Sequence, residues 1–177
     1  MRQPKVALTG RERFFDEHEI IVSKTDTRGR ITYANDVFMR VAGYRESELL
    51  GQPHSLIRHP DMPRCVFKLL WDTIAGGQEI FAYVVNLCKD GDHYWVLAHV
   101  TPTFDGNGEI IGYHSNRRVP DRSAVETMAS VYRTLRDEER RHEDSMQGMQ
   151  RATEQLQGVL AAQDIAYDEF VFSLATT

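Results

Sequence analysis

Apolar and polar residues alternate over positions 19–25 and 30–33, two runs rich in Ile, Val and Thr, and Asp26-Thr27-Arg28-Gly29 between them has turn chemistry. The pattern predicts a β-hairpin. From Asn35 the period becomes helical, with Val37, Phe38, Val41 and Ala42 on one side and Gly43 as a stop. Glu46-Ser47-Glu48-Leu49-Leu50, closed by Gly51, predicts a second short helix. Residues 62–74 form a longer amphipathic segment with Val66, Phe67, Leu70, Trp71 and Ile74 on one face, ended by Gly76-Gly77. Three strands follow, at about 80–87, 93–104 and 109–116, joined by turns at Lys89-Asp90-Gly91-Asp92 and Asp105-Gly106-Asn107-Gly108. Two strands, several helices and three strands predict an α+β fold, a five-stranded antiparallel sheet with short helices on one face.

Composition narrows the class. The 177 residues suit one domain plus an appendage, and a net charge of −5 with scattered cations leaves no electrostatic footprint for nucleic acid. No apolar run approaches a membrane span and there is no secretory leader, so the chain is expected to be cytoplasmic. Cys65 and Cys88 lack zinc or CxxC spacing and are expected to be bystander thiols. No HxH, HExxH, GxSxG, Walker or Rossmann pattern occurs, which predicts neither a metal site nor an enzyme.

Two segments carry the candidate chemistry. In Ile57-Arg58-His59-Pro60-Asp61-Met62-Pro63, two prolines fix the backbone of a turn that carries a cation, an imidazole and a carboxylate, able to grip an anionic or polar ligand. Arg58 and Asp61 are also able simply to pair with each other and cap the helix that follows. Gly91-Asp92-His93-Tyr94-Trp95-Val96 is a turn leading into an aromatic-rich strand, an apolar wall for such a ligand.

The element order, Ala34-Asn35-Asp36, the run Gly43 to Gly51 and the Gly91 to Val96 segment together resemble a PAS sensory domain over roughly residues 20 to 117. Gly-Gln-Pro-His and Arg-His-Pro-Asp-Met-Pro, at Gly51 to Pro63, are similar in particular to the FAD-binding PAS branch of the aerotaxis receptor Aer. The resemblance implies non-covalent FAD and contacts from Asn35, Arg58, His59, Asp61, Trp71 and Asn86. Phe67, Tyr94 and Trp95 join them as pocket wall or core. In these roles Trp71 gives a ring its π-face, Asn86 meets the pyrimidine edge, and Arg58 with His59 meets the phosphates. Light-sensing LOV domains resemble the same layout but carry a reactive Cys where this chain has His54, so no photoadduct is expected.

The resemblance implies a non-catalytic sensor of redox, oxygen or energy state, as in aerotaxis or chemotaxis. The alternatives are a haem sensor, with His59, His93, His99 or His114 as axial ligand, a small-metabolite sensor, or a cofactor-free dimerisation module. The division expected is an arm or cap at 1–19, the PAS domain at 20–119 and a helical or coiled-coil signalling segment at 120–177. In that last segment an imperfect heptad seam of about six repeats runs from Val125 through Met128, Tyr132, Leu135 and Leu156 to Phe170. One unbroken helix there would be about 70 Å long, so the seam needs a partner or a bend; a dimeric coiled coil or a helical hairpin bundle is expected, the alternative being an amphipathic helix broken and folded back on the sheet. The charged block 136–144 falls within it as a solvated zone. In Aer-like receptors membrane and methyl-accepting regions follow the PAS domain. Neither is found here, so a homodimer acting in trans on a chemotaxis-type partner, or a sensor separated from its output domain, is expected.

Overall fold

A computed structural model describes residues 6–175; residues 1–5 of the expected arm, and 176 and 177, lie outside the described residues. The alternating runs form β1 (Ile21–Thr25) and β2 (Ile31–Ala34). Then come α1 (Asp36–Ala42), α2 (Glu46–Leu49), a 3-10 turn at His54–Ile57 and α3 (Arg64–Ala75). β3 (Ile80–Leu87), β4 (His93–Phe104) and β5 (Ile110–Arg118) complete one antiparallel sheet of order β2-β1-β5-β4-β3. Since β1 pairs with β5 inside the sheet, the chain leaves at the β2 edge and re-enters at the β3 edge. The helices between must therefore cross one face.

Asn35 fixes where that crossing starts. Its side-chain oxygen accepts from Phe38 N and Val22 N, both at 3.0 Å, while its amide donates to Ile20 O at 2.8 Å, tying the start of α1 to β1. Gly43, at φ 76°, ends α1 in the left-handed conformation open to glycine. α3 starts two residues later than the apolar pattern predicts because Pro63 has no amide hydrogen to give and restrains Met62.

Strand alternation sorts the aromatics of the Gly91–Val96 segment. Tyr94, Val96, Ala98 and Val100 are buried on the inner face, under the helices, and Trp95, Leu97 and His99 take the outer face. The amino-terminal arm runs beside the β3–β4 turn, where Thr9, Arg11 and Arg13 all bond the buried Asp92 carboxylate. Gly91 admits this approach, since a Cβ there would stand 2.0 Å from Ala7 O.

The C-terminal segment is helical, but as three helices instead of one. α4 (Arg122–Arg140) lies on the outer face, where Tyr132 stacks on Trp95 with centroids 6.1 Å apart and donates its hydroxyl to Tyr83 O at 2.6 Å. The chain reverses within the charged block, and Asp144 caps α5 (Ser145–Ala162) by accepting from Met146 N and Gln147 N. α6 (Tyr167–Ser173) returns to β3, setting Phe172 against Phe81 at 4.7 Å. A run of charges cannot be buried, so the helix turns there, and the seam closes on itself: Met128, Tyr132, Leu135, Ala152 and Leu156 share the buried core. The bend that the seam demanded is thus intramolecular. The outer face of the sheet carries α4.

Candidate ligand cavity

A cavity of about 290 Å³ lies between the inner sheet face and the helices. Its floor comes from inward residues of four strands: Ser23 and Thr25, Tyr113, Ser115 and Arg117, Ala98 and Val100, and Val84 and Asn86. Its roof is Ile57 and Arg58 together with Phe67, Leu70, Trp71 and Ile74, the α3 face that the period of 3.6 predicted. Arg58 reaches it because its backbone forms an isolated antiparallel bridge with Asn86, which links the proline-fixed turn to β3.

Among the described residues the lining holds three arginines and no carboxylate. Arg117 is 2% exposed; it donates from Nη2 to Ser23 Oγ and from Nε to Ser115 Oγ at 3.2 Å, and lies 4.7 Å over the Phe38 ring. Burial lowers its pKa, opposed only by the neighbouring Tyr94 phenol. Arg58 sits 4.0 Å over the Phe67 ring; burial lowers its pKa too, opposed by the Glu139 carboxylate. His54 bonds Ser23 Oγ through Nε2 at 3.3 Å, and burial, then the Arg117 charge, lowers its pKa to about 3. It is a neutral imidazole at physiological pH.

Five buried atoms on this lining have no hydrogen-bond partner among the described residues: Thr25 Oγ1, Arg58 Nε and Nη2, Asn86 Nδ2 and Arg117 Nη1. Each costs about 1–3 kcal/mol if left dry, so together they rival the about 5–15 kcal/mol that holds a domain folded. A filling with several acceptors answers them, and water does so in its absence. Trp71 borders the opening, 37% exposed, edge-on to Tyr113 at 5.5 Å. It lies so close to Gly29 that a Cβ there would stand 2.9 Å from its Cη2.

Of the positions expected from sequence, Arg58, Phe67, Trp71 and Asn86 meet at the cavity and five do not. Asn35 is consumed by its β1–α1 bonds. His59 faces away from Arg58, as neighbours in extended backbone do; its Nδ1 accepts from Asp61 N at 3.1 Å and its ring lies 5.5 Å from that of His93. Asp61 pairs with Arg136 of α4, not with Arg58. Tyr94 is core behind Arg117, and Trp95 is under α4 on the opposite face. Arg117, Ser23, Thr25 and His54 were not foreseen, although the period of two through Tyr113, Ser115 and Arg117 marks that arginine as inward-facing. His54 is the one histidine on the lining, while His99 pairs with Glu79 and His114 bonds Asn116, so none of the four histidines considered for haem reaches the cavity. Cys65 and Cys88 are buried thiols, both pushed up to about 12 by burial.

The aerotaxis receptor of Escherichia coli strain K12 is 42% identical over 115 residues, 65% of this chain and 22% of that receptor. The nitrogen fixation regulatory protein of Klebsiella pneumoniae is 32% identical over 103 residues, 58% of this chain and 21% of its own length. The chain thus spans about a fifth of these curated relatives. In the dark structure of the blue-light photoreceptor Aureochrome1 LOV, 24% identical, the fold superposes with a TM-score of 0.54 over 66% of this chain and 84% of that one. A light-oxygen-voltage domain studied with a flavin analogue, 20% identical, gives 0.55 over 70% and 87%. Residues 31–117 match the family described as PAS fold, and the chain carries a PAS domain whose sheet and helices enclose this cavity.

Proposed function

We propose that the protein is a non-catalytic redox sensor that holds a flavin, FAD by the likeness of its Arg58 turn to the aerotaxis branch, in the cavity under α3. The observation that carries this reading is the set of unpartnered donors on Arg58, Asn86 and Arg117 in a cavity without a carboxylate. A flavin presents a flat ring with an acceptor-rich edge whose charge changes with redox state. Asn86 Nδ2, Arg58 and Arg117 Nη1 would hold that edge, and Phe67, Leu70 and Trp71 would exclude water from the ring. The kinship with an aerotaxis receptor and a nitrogen fixation regulatory protein supports a signalling role.

The route out runs through Arg58. Its turn also bears Asp61, paired with Arg136, and the Cys65 amide at the start of α3 donates to Glu139 Oε1 at 2.8 Å. A changed charge at the ring shifts the balance between arrangements of this turn, and the hairpin of α4 and α5 carries the shift to a partner. No helix among the described residues is long and apolar enough to cross a membrane.

The test is the absorption spectrum of freshly purified protein before and after anaerobic dithionite, with the ligand released by heat and weighed. A flavin band that bleaches, with FAD released, is expected. A colourless protein that refuses added flavin overturns the reading.

A further inference from the structure

We propose that the rim of the cavity is a phosphate subsite, in which Arg28 receives the phosphate-bearing tail of a nucleotide whose ring lies inside. The proposal rests on the flavin reading and adds where the tail leaves and what meets it. A cavity of about 290 Å³ is at the lower end of the roughly 300–1,000 Å³ that enclose whole ligands. It accepts a ring system and leaves a nucleotide tail outside.

The exposed members of the lining mark the exit: Arg28, Pro53, Ser55 and Trp71. Arg28 is the charged one. Arg58 and Arg117 are committed deeper, over Phe67 and Phe38, and His59, expected to share the phosphates with Arg58, faces away.

The turn is built to hold Arg28 in place. Asp26 Oδ1 accepts from Arg28 N at 2.9 Å and from Arg30 N at 2.8 Å, so this carboxylate oxygen is engaged with backbone. Gly29, at φ 74°, sits beneath Trp71, and its carbonyl accepts from His54 N at 2.8 Å. One wall of the exit is thereby fixed to the other. The Arg28 guanidinium forms no ion pair among the described residues and projects from a rigid base, which favours a polyanionic tail over a neutral one.

The experiment titrates apoprotein with riboflavin, FMN and FAD at low and high salt, for the unaltered chain and for Arg28→Gln, Arg28→Glu and Arg30→Gln. FMN and FAD affinity is expected to fall roughly three- to tenfold in Arg28→Gln and further in Arg28→Glu, with a flatter salt dependence. Riboflavin binding is expected to stay unchanged throughout, and Arg30→Gln to behave as the unaltered chain. Equal loss for all three ligands makes Arg28 a structural residue and overturns the proposal, as does unchanged FMN and FAD binding. If the unaltered chain binds riboflavin as tightly as FMN, the rim has no phosphate subsite. If it binds none of the three, the flavin reading falls and this proposal with it.

Discussion

Asp61 is ion-paired with Arg136, so the turn that brings Arg58 into the cavity is also a fastening point of the C-terminal hairpin. Asp61 is half-exposed, and such pairs contribute at most about 1 kcal/mol. Asp61→Asn is therefore expected to leave global stability nearly intact while amide exchange in the last turns of α4 becomes faster. Flavin affinity should change less than about threefold. A collapse of affinity would mean instead that Asp61 reaches the ligand.

Two glycines in α5 should respond with opposite signs. At Gly148 an added Cβ would stand 2.3 Å from Glu139 O, whereas at Gly158 it meets open space. Alanine gains about 1 kcal/mol over glycine in a helix, so Gly158→Ala is expected to stabilise by up to that amount. Gly148→Ala must push α5 from α4 and is expected to destabilise by about 1–3 kcal/mol. Urea denaturation of both variants measures the contrast.

His54 gives stability a pH dependence of known sign. Its native pKa is about 3, against 6.5 for an ordinary imidazole. Between those values the unfolded chain binds the extra proton, so the contribution of His54 is fully present above pH 6.5 and is lost as pH falls toward 3. The unaltered protein should lose up to about 1.4 kcal/mol per pH unit relative to His54→Gln across the acid side of this window. Parallel stability curves for the two proteins would show that His54 is solvated and titrates normally.

Arg117 is a charge kept at the expense of stability. No carboxylate among the described residues pairs with it, and replacing a buried charge by an apolar side chain of similar volume is often stabilising. Arg117→Met is expected to raise the unfolding free energy of the apoprotein by about 1 kcal/mol and to weaken flavin binding roughly tenfold. If stability and binding fall together, the guanidinium serves the fold through Ser23 and Ser115.

The elements were legible because their signals are local. Gly43 and Gly51 stop helices at positive φ, and the alternation from His93 to Val100 sets the faces of β4. The α3 face was legible from its period of 3.6. What was hidden depends on direction and distance. The turn at Arg58 puts one residue in and the next out, so a contiguous motif splits into cavity wall and hairpin anchor. Asn35 is a helix-capping residue by type, but the reach of its side chain to Val22 N and Ile20 O across the β1–α1 junction depends on the fold. Arg117 and Arg118 are adjacent and chemically alike, and the period of two that separates them tells which enters the cavity only once Tyr113 and Ser115 are placed on the inner face. The reversal at 141–144 was signalled by Asp144 at a capping position, but a continuous heptad register ran across it.

β1 lies between β2 and β5, and Ser23 and Thr25 are floor of the cavity, yet the family match begins only at residue 31. A fragment trimmed to 31–117 would lose an interior strand, leave β2 without its neighbour and open the floor beneath Arg117. Shortening from the other end would uncover Trp95 and leave Tyr83 O without the Tyr132 hydroxyl. The smallest piece able to fold and keep the cavity walled is therefore larger than the domain by which it is recognised.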